Sequence, residues 1–168
     1  MGGSHSHFHE EAHVPRPTPT SALLVAAVAW LAAPTANAAP AAPQYVVARE
    51  RAPIHLIAKE KGSAQLYVNA GTGAQDVAVS VLTLGPGAEV PEHAHEDASE
   101  TLYIERGAIE MMIAGKKYTA KAGDTVYLPA GVKHSARVLG RIEALKAVQV
   151  YVGPGPEQRF TKGPRLKP

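Results

Sequence analysis

The sequence predicts an all-β domain, a barrel or sandwich of short strands. Three observations carry that reading. Several stretches alternate apolar and polar residues and are rich in β-branched side chains, Val77-Ala78-Val79-Ser80-Val81-Leu82-Thr83-Leu84 most clearly. Turn signals built on glycine and proline recur between them, drawn from 15 Gly and 14 Pro in 168 residues. Nothing between 62 and 152 sustains a helical period. Short strands punctuated in this way belong to sandwiches and barrels.

Taken in chain order, Ala64 to Val68 reads as a short strand and Val77 to Leu84 as a long one, closed by Gly85-Pro86-Gly87. Thr101 to Glu105 follows, then a turn at Arg106-Gly107. Ala108 to Ile113 and Lys117 to Ala120 flank Ala114-Gly115-Lys116, which resembles a hairpin loop. Ala122-Gly123-Asp124 turns into Thr125 to Leu128, and Pro129-Ala130-Gly131 breaks the chain again. His134 to Leu139 and Ala144 to Val152 supply the last two strands. Aromatic residues are few, so the core is expected to consist mainly of Val, Leu, Ile and Ala.

The ends are expected to lie outside this barrel. Residues 21–33 form an uncharged apolar run about 20 Å long as a helix, short of the roughly 30 Å hydrocarbon core of a bilayer. Small residues follow, ending in Ala36-Asn37-Ala38, an A-x-A cleavage signal. Residues 1–38 therefore read as a secretory signal peptide, and the product as exported, periplasmic or secreted, with no membrane anchor after cleavage. His5, His7, His9 and His13 fall in that leader and are read as part of it rather than as a metal-binding tract. Residues 39–61 read as a linker and N-terminal arm, 62–152 as the barrel, and 153–168 as an irregular C-terminal tail. Residues 44–48 are extended and suited to adding a strand to a sheet. Cysteine is absent, which excludes disulfides, thiolate metal sites and cysteine nucleophiles. A formal charge of +2 does not advertise a nucleic-acid partner.

Four side chains suggest a metal site. His93 and His95 stand two apart, and in an extended segment such residues face the same side. Glu100 follows a polar stretch long enough to turn the chain back, and His134 arrives from a separate strand after the Pro129-Ala130-Gly131 turn. Three neutral imidazoles and one carboxylate would leave two open positions on an octahedral ion. Such a donor set suits one divalent transition metal: Fe, Mn, Ni, Cu or Zn.

The spacing of these residues resembles that of the cupins. The first cupin motif, G-x5-H-x-H-x(3,4)-E-x6-G, is matched by Gly87, His93, His95, Glu100 and Gly107. The second, G-x5-P-x-G-x2-H-x3-N, is matched by Gly123, Pro129, Gly131 and His134, with Val138 in place of the final Asn. Fifteen residues, 108–122, separate the two. The resemblance is close over 85–152 and looser beyond. It implies a single double-stranded β-helix, the cupin jelly-roll barrel, with irregular N- and C-terminal arms. By carry-over, His93, His95, Glu100 and His134 are the metal ligands. Val138 is expected to make the cavity more apolar without removing a ligand. Gly87, Gly107, Gly123 and Gly131 serve turns. Cupins commonly dimerise by pairing barrel edges, so a homodimer is among the implied partners.

An ion with open positions binds dioxygen or a substrate oxygen and acts as a Lewis acid. The leading expectation is a metal-dependent dioxygenase or related oxidoreductase acting on a small organic molecule, in the style of single-domain, quercetinase-like cupins, with Glu100 as ligand and transient base. One alternative is a binding, sensing or storage module without turnover. Another is lyase, isomerase or decarboxylase chemistry. Leu102, Ile104, Met111 and Tyr127 are expected to line the substrate pocket, with Met112 and Tyr67 as further candidates. Arg137 is three residues past His134, so alternation points it away from the ion. No other cation is evident near the quartet, which weakens oxalate-type chemistry. P-loop, dinucleotide and nucleophile-elbow motifs are absent.

Overall fold

The computed structural model describes residues 1–3, 41–153 and 155–167. The apolar run, its cleavage signal and the leader histidines lie outside the described residues. The chain divides into Met1–Asn37, of which only the first three residues are described, and Ala38–Pro168, which holds every element named below. Among the described residues, no helix is long and apolar enough to cross a membrane.

Among the described residues there are eleven strands: β1 Ile54–Ile57, β2 Gly62–Val68, β3 Val77–Leu84, β4 Glu89–His93, β5 Ser99–Arg106, β6 Ala108–Ile113, β7 Lys116–Lys121, β8 Thr125–Leu128, β9 His134–Val138, β10 Leu145–Val152 and β11 Arg165–Leu166. All pairings are antiparallel. They form a seven-stranded sheet in the order β11-β1-β2-β3-β10-β5-β8 and a four-stranded sheet in the order β4-β9-β6-β7. The two together make the expected jelly roll. β3, β6 and β8 have the bounds read from the sequence. The hairpin between β6 and β7 turns on two residues rather than three: Ala114 and Gly115 take φ of 49° and 77°, the double left-handed geometry of a tight hairpin turn, and Lys116 already pairs with Ile113.

β4 is a strand the sequence conceals. Glu-Val-Pro-Glu-His shows no apolar alternation and contains Pro91, which cannot donate to a ladder. Its position at the edge of the four-stranded sheet makes that tolerable, and its register with β9 shifts across the proline before His93 pairs with His134. Residues 44–48 do not form a strand: Gln44 N–H donates to the Thr72 carbonyl at 2.9 Å, and Tyr45 and Val46 are exposed.

The core follows from alternation along β3, β10 and β5. Register places Leu84 beside Leu145, Leu82 beside Ala147, Ser80 beside Gln149 and Ala78 beside Tyr151, all buried. Across the other edge of β10, Ile104 meets Ala147, Leu102 meets Gln149 and Glu100 meets Tyr151. One end of this inner face is therefore aliphatic and the other polar. Leucine and alanine dominate the core, whereas Val138 is the only fully buried valine among the described residues. The other valines of β3 and β10 fall on the outward positions of the same alternation.

The two arms close on each other. β1 pairs with β11, the Leu56 N–H donates to the Pro164 carbonyl at 2.9 Å, and His55 Nδ1–H donates to the Gly163 carbonyl at 3.1 Å. A side chain at Gly163 would place its Cβ 2.0 Å from the Leu56 oxygen, so this crossing admits only glycine. Just before it, the 3-10 turn Pro156–Lys162 sets Phe160 into the main core at 6% exposure. Phe160→Ala is expected to lower stability by about 3 kcal/mol, read from the urea midpoint at constant slope. A loss below about 1 kcal/mol would mean that the arm is only laid on the surface.

Candidate metal centre

Each member of the quartet is set by a different local device. His93 is the last residue of β4 and lies opposite His134, the first residue of β9. His95 is beyond the strand, in a loop held by the Gly131 N–H donating to the His95 carbonyl at 2.8 Å. Glu100, in β5, comes from the other sheet, at the polar end of its inner face. The three imidazole centroids are 4.3 to 5.3 Å apart, and one nitrogen from each lies within 4.8 Å of the others. Glu100 Oε2 is 3.2 Å from His95 Nε2 and 3.4 Å from His134 Nε2. The four side chains predicted to converge do so.

The donors are prepared for an ion. His93 Nδ1 lies 2.8 Å from the Pro91 carbonyl, and His134 Nδ1 lies 2.8 Å from the Val132 carbonyl. A carbonyl only accepts, so both Nδ1 atoms carry the hydrogen and both Nε2 lone pairs are free. His93 Nε2, His134 Nε2 and Glu100 Oε2 are buried without a hydrogen-bond partner. Orphaned acceptors at one point are costly unless something positive joins them. Their 3.2 and 3.4 Å separations suit cis ligands on one ion, which bond lengths near 2.1 Å place roughly 3 Å apart. The residues fit a divalent transition ion held by three nitrogens and one oxygen.

A family model for the cupin domain matches residues 80–151, a span that contains all four residues. The chain carries a cupin domain. A stretch of 60 residues is 33% identical to quercetin 2,3-dioxygenase of Bacillus subtilis, covering 36% of this chain and 18% of that enzyme. The chain spans about half, or less, of the lengths of the curated relatives it matches. Among solved structures, an RmlC-like cupin from Shewanella frigidimarina superposes with a TM-score of 0.57 at 20% identity, covering 69% of this chain and 96% of that one. A predicted oxalate decarboxylase from Thermotoga maritima gives 0.56 at 24% identity, covering 64% and 98%. At these identities the structural likeness concerns the fold.

Behind the quartet, this cupin holds a buried polar chain that the sequence reading missed. Gln149 Nε2 donates to Glu100 Oε1 and, at 2.8 Å, to the Tyr151 hydroxyl oxygen. The Ser80 hydroxyl donates to Gln149 Oε1 at 2.8 Å, which fixes the amide orientation. Arg159, from the C-terminal turn, donates through Nη2 to the Tyr151 oxygen at 3.0 Å and through Nη1 to His95 Nε2 at 3.3 Å. A cation therefore does stand beside the quartet, and the sequence-based argument against acid-type substrates loses its premise. Arg137 faces away as expected, paired with Glu110 at 3.0 Å. Gln149 was legible as a polar residue at an inward position of β10. Arg159 carried no signal, because its segment has no period.

Burial acts on all these groups. Burial raises the Glu100 pKa, but the close imidazoles of His134 and His95, the hydrogen bond from Gln149 and the Arg159 charge outweigh it and hold the carboxyl well below the usual range. Burial lowers His93 to about 4, aided by the Arg159 charge, although its bond to Pro91 resists. His134 is also penalised by burial, yet its contact with Glu100 and its bond to Val132 leave it raised. Burial and the Glu100 anion push Tyr151 upward, so its phenol stays protonated.

The quartet borders a cavity of about 510 Å³, lined by His93, Glu100 and His134 among mainly aliphatic side chains. Of the predicted substrate contacts, Leu102 and Met111 line it. Ile104 does not: it shares their face of β5 but is fully buried in the core next to Ala147. Tyr127 does not either. Leu128 takes the inward position of β8, so Tyr127 points outward beside Thr101, 62% exposed. Met112 alternates away from Met111, and the Tyr67 hydroxyl donates to Gln65 Oε1, outside the cavity. Val138 joins the core rather than the cavity wall.

Metal affinity is expected to fall as pH falls through the raised His134 pKa, because a proton there competes with the ion. His93, neutral down to about 4, adds no competing proton in that window. The loss should be about tenfold per pH unit, measured by chelator competition between about pH 5 and 8. No loss of affinity across this range would contradict the assignment. Gln149→Leu, which leaves Glu100 Oε1 without its donor, is expected to weaken metal binding roughly 10- to 100-fold in the same assay.

Proposed function

We propose that this cupin is a mononuclear metal-dependent oxidoreductase of the dioxygenase type, acting on a small and largely apolar organic molecule. The observation that carries the proposal is the position of the donor set: three of its four members form part of the wall of a half-open, mainly aliphatic cavity. An ion needed only for stability would not need to face a space of that size. The local likeness to quercetin 2,3-dioxygenase supports the same reading. When bound, a redox-active divalent ion would supply Lewis acidity and electron exchange with dioxygen.

The chain's own residues do the rest. Leu102, Met111 and Phe160 exclude water and hold the apolar body of the substrate. Gln149 grips Glu100 Oε1 and leaves Oε2 toward the donor centre. A carboxylate held so far below its usual range takes a proton only from an acidic O–H. Arg159 favours a second reading, non-oxidative chemistry such as decarboxylation of a small acid, since it offers a cation within reach of the quartet.

Oxygen uptake separates the two. Protein loaded in turn with Fe, Mn, Ni and Cu is expected to consume one dioxygen per flavonol or catechol lost with at least one ion, and His134→Ala to abolish the uptake. Turnover of an organic acid under strict anaerobiosis, with no uptake for any ion, would replace the first reading by the second.

A further inference from the structure

We propose that Arg159 is the anion-recognising residue of the cavity, and that the ligand is a small organic carboxylate with an apolar body. The inference deepens the oxidoreductase reading by naming a substrate class, and it rests on that reading only for the chemistry that follows binding.

Three observations carry it. The first is placement. Arg159 is half-buried and lines the same cavity as His93, Glu100 and His134, whose other walls are mostly aliphatic. A guanidinium in an apolar enclosure is costly unless it has a use or a partner.

The second is the partnership Arg159 lacks. Among the described residues it forms no ion pair; the pairs present join other residues. Its contacts are both to neutral acceptors, the Tyr151 hydroxyl oxygen at 3.0 Å and His95 Nε2 at 3.3 Å. Even Glu157, buried two residues earlier in the same turn, takes its hydrogen bond from Gln158 rather than from Arg159. A guanidinium has five donors in a planar fork that matches a carboxylate, and neutral acceptors are weak competitors for it.

The third is how firmly the group is delivered. Phe160, the next residue, is fixed in the core, and the Arg159 guanidinium carbon lies 4.9 Å from the centre of that ring. Gly163, three residues on, is locked against Leu56 and His55. The arm holds the Arg159 guanidinium at the cavity wall from both sides, with Lys162 of the same turn also bordering the cavity, and a fixed guanidinium is what recognition of a charged head requires. The apolar walls then select the body of the ligand.

Cinnamate, an apolar body with a carboxylate, and cinnamamide, its neutral counterpart, are suitable probes. They would be titrated calorimetrically into the full chain loaded with zinc, which does no redox chemistry. Wild type is expected to bind cinnamate at least about tenfold more tightly than cinnamamide. At saturating zinc, Arg159→Gln should lower cinnamate affinity roughly 10- to 100-fold with cinnamamide affinity unchanged, and Arg159→Lys should retain part of the preference. Equal wild-type affinity for the two probes would overturn the proposal. So would absence of saturable cinnamate binding up to about 10 mM, or a preference that survives in Arg159→Gln. If Arg159→Gln does not fold, the wild-type preference and its reduction in Arg159→Lys decide the matter alone. Because zinc supports no dioxygen chemistry, failure here removes the carboxylate class and leaves the oxidoreductase reading intact, while silence in the oxygen assay does the opposite.

Discussion

The burial of one carboxylate organises this molecule. Glu100 is 4% exposed, inside a barrel otherwise filled by leucine, alanine and isoleucine. An ionised carboxylate moved out of water costs several kcal/mol even after the protein relaxes. The surroundings offset that cost item by item. Gln149 donates to one oxygen, imidazoles stand against the other, and Arg159 contributes a positive field. The Ser80 hydroxyl then holds Gln149, so the polar chain runs across three adjacent strands, from Ser80 on β3 to Gln149 beside it on β10 and diagonally to Glu100 on β5, which lies opposite Tyr151. A one-residue slip of β10 would turn Gln149 and Tyr151 outward and leave Glu100 without support. Strand register and site electrostatics are thus one constraint.

The arms explain how stability and site geometry are joined. In many barrels the ends of the chain are dispensable coverings. Here β1 and β11 cross at a point where only glycine fits, and the turn between the barrel and that crossing inserts Phe160 into the core. The side chain beside Phe160 is Arg159. Energy gained by burying an aromatic ring is therefore spent holding a guanidinium at the cavity wall, which an exposed tail could not do. The same segment borders the apolar space and brings to it two cations without ion pairs among the described residues, Arg159 and Lys162, of which Arg159 hydrogen-bonds into the quartet through His95.

Much of this was legible in the sequence, and the rest was hidden for identifiable reasons. β3, β6 and β8 have clean alternation and turn residues at both ends, so their bounds could be read directly. The quartet was legible because ligand chemistry narrows residue type and the strand period narrows spacing. β4 escaped because an edge strand need not alternate and may carry proline. Ile104 was misplaced for a subtler reason. Alternation assigns it the right face, but not its depth along that face, and depth decides whether a side chain meets the cavity or the core. Tyr127 failed on parity alone, since Leu128 claims the inward position. Arg159 depends on the tertiary path of an arm without period, which no local pattern encodes.

The charges at the site bear on what it accepts. A divalent ion would join Glu100 and Arg159 at the centre, with Glu89, Glu92 and Lys162 also bordering the cavity, and the formal charges together would leave a small positive surplus in a mainly aliphatic space. Neutral apolar molecules gain contact with the walls but leave that surplus uncompensated. Molecules with several charges compensate it but lose hydration that aliphatic walls cannot replace. A single negative head on an apolar body satisfies both conditions. The imidazoles are subject to the same field: the Arg159 charge works with burial to keep His93 neutral, which is the form that binds a metal. One side chain on the C-terminal arm thereby disfavours protons on a ligand and favours anions in the cavity, and both effects follow from a positive charge held where water is scarce.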